Sequence, residues 1–229
     1  MANEMKERGR SAGGPTSQAR PTLSLFVVTL LAGLVTTSAQ GKLPVLHPLD
    51  AKGRVTYFVA DGSAASAFRP GDRDLAVWAL KQWERALDGA LHFEPSAENE
   101  AEVRVFWVPA GDGRYGEMRA FQSGILRGAA VFIRPDTNAL APPIANAARQ
   151  DPLMRDTVVY LTCLHELGHA LGLEHTAAFA DIMYFFGYGG DIPLFFNRYR
   201  QQLHTRSDIA MTAGLSASDI SRVRALYRK

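Results

Sequence analysis

Three imidazoles, with a carboxylate beside the first, fall within eleven residues of this chain, His165-Glu166-Leu167-Gly168-His169-Ala170-Leu171-Gly172-Leu173-Glu174-His175. The string has the form H-E-x-x-H-x-x-G-x-x-H. Residues four apart on an α-helix share a face, so His165 and His169 can aim ring nitrogens at one metal ion. Glu166 then points beside that ion rather than at it. His175 lies six residues beyond His169, and an unbroken helix would carry it round by about 240°, away from the site. The helix must therefore end first. Gly172 stands where the break is needed, because glycine enters the left-handed helix-ending conformation without steric cost. Three neutral imidazoles suit zinc and leave its fourth position for water, as in a catalytic rather than a closed structural site. At average residue usage the string arises by chance in a chain this long with odds on the order of 10⁻⁵, so a surface helix that merely carries histidines is the poorer reading.

The chemistry that follows is attack by water. Zinc lowers the pKa of its bound water from about 16 toward 7, and Glu166 is placed to take the proton and return it to a leaving amine. The extended motif resembles the metzincin clan of zinc endopeptidases, whose second signature is a methionine-containing turn beneath the metal. Asp181-Ile182-Met183-Tyr184 follows His175 closely, a short gap similar to that of matrixins, the matrix-metalloprotease-type catalytic domains. Met183 is the candidate for that turn, as a packing residue and not a ligand. The resemblance runs from about Lys52 to the C-terminus and is strongest from Tyr160 to Tyr184. Phe185 departs from the pattern, standing where matrixins usually carry proline. No tyrosine lies two positions after Met183, which argues against the astacin branch.

The resemblance implies an α+β fold: a twisted, mostly parallel sheet with an antiparallel edge strand, a catalytic helix and a C-terminal helix. It also implies a zinc-dependent endopeptidase that hydrolyses protein or peptide substrates, with one catalytic zinc held by His165, His169 and His175. Glu166 would be the catalytic residue, with Gly172 and Met183 structural at the site. Two alternatives stay open: a catalytically silent zinc-containing binding module, and a zinc hydrolase of a non-protein amide. His47, His92 and His204 have no partner at ligand spacing, and no histidine lies between His92 and His165, where matrixins place ligands for a second zinc. No D-x-D-x-D-G loop supports calcium.

Composition bounds the setting. The 229 residues, 47% hydrophobic, are enough to bury a good core. Leu23 to Val35 is an apolar run preceded by Lys6, Arg8, Arg10 and Arg20 and followed by Thr37-Ser38-Ala39. That order resembles a signal peptide, with an apolar stretch too short to span a bilayer comfortably. The expected organisation is a signal peptide over 1–39, a short linker over 40–51 and the peptidase domain over 52–229. The domain would then be secreted or periplasmic; the alternative is a membrane anchor formed by the apolar segment, which leaves the domain outside the cytoplasm as well. Residues 1–39 hold four basic and two acidic residues, so the remainder carries 21 of each. No basic cluster remains to suggest nucleic acid. A monomer is expected, and no inhibitor or activating partner is legible. Cys163 is the single cysteine, which forbids an intrachain disulfide and suggests helix packing. Some matrixins are held latent by a propeptide cysteine on the zinc, but no cysteine precedes the catalytic helix in this chain. Gly9-Arg10-Ser11-Ala12-Gly13 matches G-x-S-x-G, yet it lies ahead of the apolar run with no strand before it, so it is coincidence.

The elements needed to position the site are partly legible. Arg54 to Ala60 alternates Val55, Tyr57 and Val59 against Thr56 and Phe58, as a strand does. Leu75, Ala79, Trp83 and Leu87 recur at four-residue steps, which predicts an amphipathic helix over Asp72 to Leu87 capped by Asp72 or Asp74, with Trp78 and Trp83 as core. Leu91 to Glu94, Glu102 to Val108 and Gly128 to Arg134 are further strands, and a Pro-rich connection over Pro135 to Pro152 leads to a catalytic helix over Asp156 to Ala170, with Asp151 or Asp156 near its start. The family places an exposed edge strand against the substrate. Gly128 to Arg134 or the Ser123 to Ile125 stretch is the candidate, with an ordinary internal strand the alternative for the former. Phe185, Phe186, Tyr188, Leu194, Phe195 and Phe196, interleaved with Gly187, Gly189 and Gly190, suggest a mobile aromatic loop over a pocket for an apolar side chain. Arg198, Arg200 and Arg206 would favour an acidic group, or form a solvated face. Leu215 to Asp219 opens a closing helix, Ile220 to Tyr227. If residues 1–39 are a signal peptide, the exported protein begins at Gln40, which N-terminal sequencing checks; a membrane-bound product retaining those residues identifies the anchor instead.

Overall fold

The computed structural model describes residues 48–49, 52–111, 114–123 and 126–228. The expected signal segment, most of the linker, His47 and Gly9 to Gly13 lie outside the described residues. Alternation of β-formers builds β1 (Arg54–Val59), β3 (Val103–Trp107) and β5 (Leu126–Ile133), joined by β2 (His92–Pro95) and β4 (Gly116–Ser123). The sheet order is β2-β1-β3-β5-β4. β1 is parallel to β2 and β3, and β3 to β5, whereas β4 runs antiparallel to β5. This is the mostly parallel sheet with an antiparallel edge strand that the sequence implied.

The period of two sends Val55, Tyr57, Val59, Val103, Val105, Trp107, Ala129, Val131 and Ile133 into the core, where α1 (Asp72–Leu87) and α3 (Pro152–Ala170) cover them. Trp83 is fully buried and donates its indole N–H to the Leu164 carbonyl at 3.0 Å, tying α1 to the helix that carries the metal motif. Trp78 is only half buried, with the Arg206 guanidinium 4.9 Å from its ring. Cys163 is buried on α3, where desolvation pushes its thiol well above the ordinary range, so it packs as a small apolar residue.

Several elements differ from expectation. The sheet edges are β2 and β4; of the two edge candidates, Ser123 to Ile125 touches β4 only at its last residue, Ser123, with 124–125 outside the described residues, and Gly128 to Arg134 falls on β5, which is paired on both sides and is therefore the internal strand of the alternative reading. The Pro135 to Pro152 connection contains α2 (Pro142–Gln150), because prolines in a first turn cost no hydrogen bond. α3 begins four residues earlier than expected, at Pro152, with the Asp151 carboxylate accepting from the Leu153 N–H at 2.9 Å. The expected aromatic loop contains α4 (Ile192–Arg200), started by Asp191 capping Leu194 N–H at 2.9 Å with Pro193 in its first turn. α5 (Ala217–Tyr227) closes the chain behind a capping box of Ser216 and Asp219.

Neither Asp72 nor Asp74 caps α1, whose N-cap is Gly71. Asp72 is claimed by a buried ion network instead. Arg155 of α3 grips both Asp72 oxygens, Nη2 donating to Oδ2 at 2.8 Å, and also reaches Asp156 at 3.3 Å and the Pro135 carbonyl at 3.3 Å. Burial opposes the Arg155 charge, but the hydrogen bonds and charge of Asp72 outweigh it, and its pKa is raised. Arg206 continues the network, donating from Nε to Asp156 at 2.9 Å and from Nη2 to the Gly71 carbonyl. Two buried, paired charges thus fix the starts of α1 and α3 against each other. Replacing Arg155 by alanine would strand the Asp72 carboxylate, and chemical denaturation of Arg155→Ala should show a loss of about 3–5 kcal/mol; a loss below about 1 kcal/mol would mean water reaches the pair.

Candidate metal centre and cleft

α3 presents His165 and His169 on one face and then stops. Gly172 takes φ +94°; its N–H donates to the His169 carbonyl at 2.9 Å and the Leu173 N–H to the Gly168 carbonyl at 2.9 Å. This pair of bonds is the Schellman motif. It turns the chain so that His175 returns to the helix, where its Nε2 stands 3.3 Å from His165 Nε2 and 3.2 Å from His169 Nε2. Tetrahedral zinc with Zn–N bonds of about 2.0–2.1 Å separates its ligand nitrogens by about 3.3 Å. The donor set therefore fits zinc. Among the described residues these three histidines form the cluster suited to a metal ion; His92 is exposed, 3.8 Å from Glu84, and His204 is exposed elsewhere.

The helix turn also orients the rings. His169 Nδ1 lies 2.7 Å from the Leu173 carbonyl and His165 Nδ1 2.7 Å from the Ile182 carbonyl. A carbonyl only accepts, so each Nδ1 carries its proton and each Nε2 offers a lone pair to the shared point. Burial lowers His165 to about 3 and His169 to about 4, and lowers His175 as well. All three favour the neutral form a metal requires.

Ile182 belongs to the turn that contains Met183. Met183 is fully buried, and its sulfur packs where a side chain at Gly168 would otherwise sit, with Trp83 on the same glycine. Asp219 at the start of α5 holds this turn, accepting from Ile182 N–H at 2.8 Å and from Ser216 N–H at 2.9 Å. Asp181 accepts from the Ser216 hydroxyl at 2.7 Å and the Ser218 hydroxyl at 3.1 Å. In the sequence Asp219 stood out only as the end of the Leu215 to Asp219 segment that opens a closing helix; its reach to the turn is a tertiary fact.

Glu166 lies beside the imidazoles and is 7% exposed. Desolvation pushes its carboxyl up to about 8, the Glu117 charge adding and Arg134 opposing. β4 passes directly over it. A Cβ at Gly116 would lie 2.7 Å from Glu166 Cγ, 2.8 Å from Thr162 Cγ2 and 3.0 Å from Glu166 Oε1. Gly116 thus admits the edge strand to the carboxylate, and nothing in the sequence marked it.

Between β4 and the Tyr184 to Phe186 segment lies a cleft of about 540 Å³ lined by the histidines and Glu166 at one end. Its apolar part is built from Tyr115, Leu161, Phe186, Phe195 and Phe196, with Tyr115 5.5 Å from the Phe196 ring. The three arginines do not supply the cleft with an acid-binding site. Arg198 stacks 4.2 Å over Phe195 and donates to the Ala180 carbonyl at 3.0 Å, Arg200 pairs with Asp151 at 2.6 Å, and Arg206 belongs to the buried network.

Sheet, central helix, glycine-ended motif and methionine turn together define an α+β metzincin-type metallopeptidase domain. The matrixin family model matches residues 51–191, more than half of the chain, and the chain belongs to that family. Matrixins are zinc-dependent peptidases, in keeping with the histidine cluster. No curated protein matches the chain. Gly116→Ala should cut kcat/KM by about 10²-fold through displacement of Glu166 while zinc content stays at the parent level; unchanged turnover would show that β4 yields without moving the carboxylate.

Proposed function

We propose that this protein is a zinc-dependent endopeptidase in which His165, His169 and His175 hold the metal and Glu166 is the catalytic acid and base. The convergence of three imidazoles, with His175 Nε2 at 3.2–3.3 Å from both His165 and His169 and all three ligand nitrogens within 4.8 Å of one another, beside a buried carboxyl carries this reading. Zinc, when bound, supplies a Lewis acid that activates water and polarises the scissile carbonyl. Glu166 takes the proton from the attacking water and hands it to the departing amine. Its place beside the imidazoles, lining the same cleft, puts the carboxyl within the site where water and leaving amine would sit. Gly172 supports the ligand geometry by ending the helix, and Met183 by filling the space beneath it.

The substrate is an extended protein or peptide segment. β4 is the sheet edge beside the cleft, and a segment laid along it adds as a further strand through main-chain hydrogen bonds. The aromatic end of the cleft takes an apolar side chain next to the scissile bond. Residues 1–39 serve for export or anchoring and 40–51 as linker, so that the domain, a monomer, acts outside the cytoplasm on proteins rather than on nucleic acid.

Digestion of a mixed peptide library by the zinc-loaded protein, with Glu166→Ala alongside, tests the reading. Cuts made by the parent alone are expected, with turnover of Glu166→Ala down by about 10²–10⁴-fold at unchanged zinc content, and with metal lost from His165→Ala. A Glu166→Ala protein of full activity would sink the assignment. Zinc binding without any cleavage would mark a silent binding module, and cleavage of small amides alone a non-peptidase hydrolase.

A further inference from the structure

The three proposed ligands are not held alike. His165 and His169 sit on α3, half buried, each with Nδ1 fixed by a backbone carbonyl at 2.7 Å. His175 stands on an irregular segment, is exposed, and among the described residues its ring's hydrogen-bond-range contacts are those of Nε2 to the other two imidazoles. An exposed ring with no bond to Nδ1 is free to rotate, and ordering it on metal binding costs conformational entropy. What limits it instead is Phe185, whose ring centroid lies 4.8 Å from that of His175 at an interplanar angle of 36°. That separation is within the range of favourable aromatic pairs.

The backbone puts Phe185 there. Thr176, the residue after His175, donates its N–H to the Met183 carbonyl at 2.9 Å, and Phe185 N–H donates back to the Thr176 carbonyl at 3.1 Å. The two bonds form a short bridge between Thr176 and Tyr184, clamping the segment of the third histidine to the methionine turn. A proline at 185 has no N–H and loses the second bond as well as the aromatic ring. Tyr188 packs edge-on against Phe185 at 5.2 Å and backs the stack from outside. Phe185 is 42% exposed despite its size, so burial in the core is not what it contributes.

We infer that Phe185 is a positioning residue for the metal centre: its ring and its N–H together hold the His175 imidazole in the orientation that binds zinc. This rests on the reading of His175 as a ligand. The role is the one that carbonyl partners play for His165 and His169, performed by stacking because no carbonyl among the described residues reaches His175 Nδ1.

Zinc affinity, measured by competition with a chromogenic chelator on the full chain, tests it. Phe185→Leu, which keeps bulk and N–H but not the aromatic face, should weaken zinc by about tenfold, Phe185→Pro by more, and Phe185→Tyr should bind within about twofold of the parent. The melting temperature of the metal-free protein should not change in Phe185→Leu, which separates positioning from general destabilisation. His175→Ala is the control: if it leaves zinc affinity unchanged, His175 is not a ligand and the reading of the site fails. If His175→Ala loses zinc while Phe185→Leu binds as the parent does and shows only a raised KM for peptide, Phe185 is a wall of the substrate cleft and the inference is overturned.

Discussion

A single α-helix can aim only two imidazoles at one point, because the next residue on the same face lies a further turn, about 5.4 Å, along the axis, and the rest of this site is arranged around that limit. The chain meets it by ending α3 in a Schellman motif at Gly172 and returning His175 to its partners. The same turn supplies the Leu173 carbonyl that fixes His169. Terminating the helix and orienting a ligand are therefore one event, and a residue with a Cβ at position 172 would strain both.

Close approach of backbone to side chain is the second theme. Gly168 lets Met183 and Trp83 meet under the ligand helix, and Gly116 lets β4 pass over Glu166. In each case a missing Cβ brings a neighbouring element nearer than any other residue permits. The methionine turn is then tied from outside by Asp219, so that α5, far along the chain from the histidines, fixes the Ile182 carbonyl that orients His165. Arg222 adds to this by donating to the Glu174 carbonyl at 2.7 Å, just before His175.

Electrostatics divides the molecule into two buried regions of opposite design. Arg155, Asp72, Asp156 and Arg206 are mutually paired and hold the helices. Glu166 is buried and His165 and His169 half buried, with pKa values displaced toward their neutral forms by desolvation. The first arrangement satisfies its charges within the protein; the second leaves donors and a carboxyl turned to a cleft, which is where chemistry is expected.

The histidine cluster was legible from sequence because its spacing is itself geometric: a helix period, a glycine at the break and a third histidine within reach bring three imidazoles together. β1, β3 and α1 were legible for a similar reason, since alternation and four-residue steps are properties of consecutive residues. What failed was what depends on residues far apart. β4 lacks a clean alternating signal and becomes the edge only because β5 pairs with it, and α2 and α4 were hidden by prolines that are tolerated in a first turn. Arg198, Arg200 and Arg206 looked available for a ligand until their carbonyls and carboxylates came from 19, 49 and 50 residues away. The sequence by itself determined which side chains can gather at one point, because residue identity and helical spacing are local. Only the tertiary structure decided which glycine admits the edge strand, which aspartate holds the methionine turn and which ring faces His175, because those contacts exist only once distant segments are packed together.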